Sequence, residues 1–111
     1  MYRLQNVNDK IFIDYDRIIA ACERWKIIEF ALFGSILRGD FQPESSDVDV
    51  LVVFDPKARW TLFDLVSIED EFKQIFGRKV DLVERASIEQ SPNHLRKQEI
   101  LSSLQVIYAA S

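Results

Sequence analysis

Polar and apolar positions alternate along the chain with two different periods. Asp14 precedes a stretch in which Tyr15, Ile18, Ile19 and Cys22 recur at helical spacing, which predicts a capped helix from Tyr15 to about Trp25. After Lys26 the pattern becomes a short β-branched and aromatic run, from Ile27 to Phe33, closed by Gly34. It reads as a buried strand. Residues 34–46 hold Gly34, Gly39, Pro43, Ser45 and Ser46 and read as a loop. A second strand runs from Asp47 to Phe54 and is stopped by Asp55-Pro56. Thr61, with Asp64 at the capping-box position, opens a helix whose apolar face is Leu62, Leu65, Val66, Phe72, Ile75 and Phe76. Gly77 is its stop. Lys79 to Val83 is a third strand. Ser91-Pro92 predicts one more helix, with Ser91 as N-cap, running to about Ser102. Val106-Ile107-Tyr108 closes the chain as a short strand. Helices and strands alternate, so the expectation is one mixed α/β domain over residues 1–111.

Composition narrows the class. Apolar residues make up 48% and charged residues 29%, enough to build a core without disulfides or metal staples. The net charge of -4 argues against a protein that coats nucleic-acid phosphates, so no direct nucleic-acid contact is expected. The single cysteine, Cys22, lies on an apolar helix face and reads as core. One cysteine also suits a reducing compartment. No apolar run reaches the ~18 residues of a membrane span, and Met1 to Asn6 lack the apolar core of a signal peptide. The expectation is a cytoplasmic protein with no membrane partner. His94, the only histidine, reads as a surface residue, which removes histidine-based catalysis from consideration.

The middle of the chain breaks its own rule. Val48, Val50 and Val52 occupy one face of the second strand, and Leu51 and Val53 the other, as in a strand covered on both sides. Yet the second face opens with Asp47 and Asp49. Side chains at i and i+2 point the same way, ~6.5–7 Å apart. Asp81 repeats the theme inside the third strand. Clustered carboxylates repel and disfavour folding unless something compensates. A hard divalent cation such as Mg²⁺ does so with carboxylate oxygens and keeps positions open for phosphates. Each Asp alone is more simply a strand-edge or turn residue; the chemistry requires the last two strands to be neighbours. Gly34-Ser35 follows a strand directly and precedes Ile36-Leu37-Arg38. Glycine permits close backbone approach, and free N–H groups with a serine hydroxyl make an anion site to which Arg38 adds a charge. Alone, Gly-Ser is common in turns; with a carboxylate site it is much more specific.

These residues carry a resemblance. Leu32 to Phe41, Ser46 to Val52 and Gly77 to Val83 are similar to the minimal nucleotidyltransferases of the DNA polymerase β-type superfamily, the antitoxin half of HEPN/MNT toxin–antitoxin pairs. The ending, Ile100-Leu101 through Val106-Ile107-Tyr108, also resembles that group, so the likeness covers about residues 14–109. It implies a palm-like core, a small mixed sheet flanked by helices. It implies transfer of AMP from ATP, with Mg²⁺, to a tyrosine of a cognate HEPN ribonuclease toxin. By the same resemblance Asp47 and Asp49 are metal ligands, and Asp81 is the third carboxylate, holding metal and helping the acceptor hydroxyl lose its proton. Gly34 and Ser35 then hold the outer phosphates, with Arg38 a weaker candidate. The eleven residues 36–46 between Ser35 and Asp47 are one more than the family pattern has, which bears on the aim of this loop.

A binding module is the alternative: a catalytically weak relative that neutralises its toxin by stoichiometric coverage. Trp60, Phe63 and Tyr108 are its candidate anchors, against a plainer role in core or rim packing. A receiver-type phospho-acceptor domain also clusters Asp on an α/β sheet, but the regular five-fold alternation is missing and Gly-Ser would have no role. Lys57-Ala58-Arg59 and Arg96-Lys97 are short basic patches that read as solvated surface or as contacts for ATP phosphates or an RNA-binding partner.

Overall fold

The computed structural model describes residues 13–34 and 47–110. Eight elements follow in order: α1 (Tyr15–Arg24), β1 (Ile27–Phe33), β2 (Val48–Phe54), α2 (Leu62–Phe76), β3 (Val80–Glu84), α3 (Arg85–Glu89), α4 (His94–Ser102) and β4 (Gln105–Ala109). The strands form one sheet in the order β3-β2-β1-β4. β1 runs antiparallel to both β2 and β4, whereas β2 and β3 are parallel. A parallel pair needs a crossover, and α2 supplies it. The mixed α/β domain expected from the alternation of elements is what forms, with the small mixed sheet that the resemblance implies.

Local chemistry sets the boundaries. Asp14 caps α1 by accepting the Arg17 N–H at 3.2 Å. Thr61 and Asp64 make the reciprocal capping box at the start of α2. Gly77 ends α2 in the left-handed region at φ 70°, where its missing Cβ removes the strain. Two expectations need correction. The last helix starts at His94 with Asn93 as N-cap, not at Ser91, because the Asn93 side chain takes the Arg96 N–H at 3.0 Å. Ser91 instead accepts the Asn93 N–H and fastens the preceding turn. The short helix α3, between β3 and α4, is absent from the sequence reading; five residues are too few for a hydrophobic period to show.

The sheet is covered on both faces, unequally. Ile18, Ala21 and Cys22 of α1 and Ile68, Phe72 and Phe76 of α2 pack on Phe30, Leu32, Val48, Val50 and Val52. Phe30 and Phe72 meet with ring centroids 4.8 Å apart, and each fully buried side chain of this size is worth about 1.5–3 kcal/mol of transfer free energy. On the other face Phe33, Leu51, Ile88 and Ile100 form a smaller cluster under α3 and α4. Cys22 is buried, as its place on α1 predicts, and the apolar surroundings push its thiol up to about 12. Trp60 is half-buried: it packs edge-on against Trp25, 5.4 Å between centroids, and its Nε1 donates to the Trp25 carbonyl. Tyr108 is half-buried against the main core, whereas Phe63 is exposed.

Candidate active site

Side-chain parity places the acids on the thinly covered face. Asp49 shares its side of β2 with Leu51, which belongs to the smaller cluster. In register, Asp49 lies opposite Phe33 of β1 and opposite Asp81 of β3. Parallel neighbours with matched register project to the same face, about 4.8 Å apart. The two strands are therefore neighbours, and Asp49 and Asp81 stand side by side. Asp47 lies one residue before β2, next to the Val48 N–H that donates to the Lys79 carbonyl at 3.0 Å.

The carboxylates escape the cost of burial in a core strand. β3 is an edge strand and Asp81 is exposed, while Asp47 and Asp49 are half-buried. Among the described residues no charged or polar side chain is buried. Asp81 is thus corrected from a core-strand interior to a solvent-facing edge, where water solvates its charge.

Gly34 closes the site from β1. Its φ is 82°, and a Cβ at this position would overlap the Asp49 Oδ2 and lie 3.1 Å from its Cγ. The glycine therefore answers two requirements, a left-handed backbone and a carboxylate packed directly on it. Ser35 and Arg38 lie outside the described residues.

A cleft of about 170 Å³ joins Phe33, Gly34, Asp49 and Asp81 to Arg96, Glu99, Ile100 and Ser103 of the α4 region. Arg96 brings a positive charge to the mouth of an acidic site. From the sequence, Arg96 belongs to a short basic patch read as solvated surface or as a contact for ATP phosphates or an RNA-binding partner; the fold of α4 back over the smaller cluster brings it to this cleft. Glu99 and Ser103 carried no signal of their own.

The donor set is all oxygen, carboxylates without histidine or cysteine, which suits a hard cation such as Mg²⁺. Among the described residues no three of His, Cys, Asp or Glu are drawn together as a ready-made metal site. The fit is one of ligand chemistry and common face.

The sequence profile of the nucleotidyltransferase domain matches residues 18–107, most of the chain. The chain belongs to the nucleotidyltransferase domain family. Protein adenylyltransferase MntA of Thermococcus cleftensis is 36% identical over 66 residues, 60% of this chain and 64% of that protein. A candidate protein adenylyltransferase of Methanocaldococcus jannaschii is 36% identical over the same length, 60% of this chain and 65% of the relative. The matched stretch thus covers slightly under two-thirds of these curated relatives. Among solved structures, a candidate minimal nucleotidyltransferase superposes with a TM-score of 0.64 at 25% identity, covering 82% of this chain and 86% of that one. A toxin–antitoxin complex with AMP-PNP gives 0.65 at 18% identity, covering 89% and 76%. A Shewanella oneidensis MNT antitoxin complex with its tri-AMPylated HEPN toxin gives 0.56 at 17% identity, covering 86% and 70%. At such identities these last two speak for the shared fold. No helix among the described residues is long and apolar enough to cross a membrane.

Proposed function

We propose that the chain is a Mg²⁺-dependent protein adenylyltransferase that moves AMP from ATP to a tyrosine hydroxyl of a HEPN-type toxin partner. The observation that carries this reading is the in-register pair Asp49 and Asp81, with Gly34 closed against Asp49. The names of the relatives support the reaction class.

Asp47 and Asp49 would hold the metal, with Asp81 as third carboxylate. The ion, when bound, supplies charge neutralisation at the phosphoryl oxygens. Asp81, open to solvent at the sheet edge, takes the proton of the acceptor hydroxyl as its oxygen bonds to the α-phosphorus; the bond to pyrophosphate breaks and pyrophosphate leaves. Gly34, with Ser35 and Arg38, is assigned to the outer phosphates. Arg96, which lines the same cleft as Asp49 and Asp81, would steady a phosphate group or balance those two acids.

Intact mass spectrometry of the partner, co-purified with the wild type or with Asp49→Asn, tests this. The expected result is nucleotide-sized additions on the partner with the wild type only. An equally retained, unmodified partner at a one-to-one ratio in both samples points instead to neutralisation by binding.

A further inference from the structure

Three apolar side chains in the first two turns of α2 face outward. Leu62, Phe63 and Val66 are 75%, 85% and 61% exposed, although Ile68, Phe72, Ile75 and Phe76 of the same helix are buried. Contiguous exposed apolar side chains mark interaction sites. Between these turns and β3 runs an open groove of about 340 Å³ walled by Leu62, Leu65, Val66, Leu82 and Val83.

Two further features say what fits there. First, among the described residues β3 is an edge strand, and edge strands offer a row of backbone donors and acceptors. Second, acidic side chains line the groove itself, although Lys79 and Arg85 flank β3 in the chain. Glu69 and Glu84 line the groove, and Asp81 precedes Leu82 at its head. Glu69 pairs with Lys73 at 3.9 Å, whereas the side chains of Asp81 and Glu84 have no hydrogen bond or ion pair among the described residues. An apolar trough with the unpaired Glu84 carboxylate on its wall selects an apolar segment with a cationic flank.

We propose that the β3-edge groove seats the protein partner, through a segment of apolar side chains flanked by lysine or arginine. The inference rests on the transfer reading for its purpose. A polypeptide lying along the β3 edge at Leu82 and Val83 passes one strand step, about 3.3 Å of backbone rise, from Asp81, whose side chain shares the face of Val83 and not that of Leu82. Docking and chemistry then share one strand, and the partner's hydroxyl reaches the site because the partner is held beside it.

The test compares wild type, Val66→Asp and Glu84→Lys in two readouts on the protein that co-purifies with the wild-type chain: retention and AMP label. Binding of ATP is the control for an intact site. Both substituted side chains are solvent-exposed, so the fold is expected to survive. The expected result is at least a tenfold fall in retention and label for each variant, with ATP affinity within twofold. Retention unchanged in both variants overturns the groove and leaves the transfer reading standing. A wild type that retains its partner without labelling it sinks the transfer reading, and retention alone then judges the groove. A wild type that retains no protein overturns the groove. So does a change in self-association of Val66→Asp without a change in partner retention, which assigns the groove to a second copy of the chain.

Discussion

Asp49 and Gly34 are one unit, and substitutions at the two should fail differently. Asn at position 49 keeps the shape of the side chain and removes the charge offered to a cation. Transfer should fall by about 100-fold or more, while stability moves by less than about 1 kcal/mol. Labelled AMP transfer and urea unfolding read the two effects, and wild-type transfer by Asp49→Asn would sink the mechanism. Ala at position 34 meets both a φ of 82° and the Asp49 carboxylate. It should cost on the order of 1–3 kcal/mol and lower transfer as well, because the carboxylate must move. An alanine variant that unfolds at the wild-type urea midpoint with full transfer would show that Asp49 packs elsewhere. Lys26, at φ 58° between α1 and β1, pays a similar backbone strain that nothing in its sequence neighbourhood announces.

Elements whose ends are fixed by their own side chains were legible; those fixed by distant contacts were not. Asp14, Thr61, Asp64 and Gly77 each act on backbone within four residues, so α1 and α2 could be bounded from the sequence. The capping box predicts its own test. Thr61→Ala removes the acceptor for the Asp64 N–H and should lower stability by about 1 kcal/mol, with loss of helical signal on thermal melting. An unchanged midpoint would show that tertiary packing alone holds the first turn. The outward turn of Leu62 and Val66 was not legible, because helical periodicity gives an apolar face without saying where the sheet beneath it ends. The same limit applied to the site. A common face for Asp47 and Asp49 is expected from period two, but the nearness of Asp49 to Asp81 depends on strand order, and Arg96 enters only through the path of α4 across the sheet. Ser91 and Asn93 compete as caps by chemistry of equal quality, and the fold of the preceding turn decides between them.

Across the whole molecule, α1 and α2 are tied by a polar clasp at the rim of the larger core, and its protonation should set the acid limb of stability. Burial by itself would raise the Glu71 carboxyl, but hydrogen bonds from Trp25 Nε1, at 2.8 Å, and from Arg24, with the charges of Arg24 and Arg17, hold it below its ordinary value. The folded chain therefore binds this proton more weakly than the unfolded chain. The contribution to stability is present above the unfolded pKa, about 4.3, and is lost as pH falls through the lower folded value. Glu71→Gln should be less stable than wild type at pH 7, and the gap should close as pH falls below about 4. Cys22 works in the opposite direction at the alkaline end. Its thiol is pushed up to about 12 from an ordinary 9.0, so its contribution is complete below pH 9.0 and is lost as pH rises toward 12. Urea unfolding of wild type, Glu71→Gln and Cys22→Ala across the pH range separates the two groups. Each variant should flatten one limb and leave the other. A Glu71→Gln gap that persists unchanged at low pH would show that the clasp holds by packing of Trp25 and Trp60 rather than by the carboxylate charge.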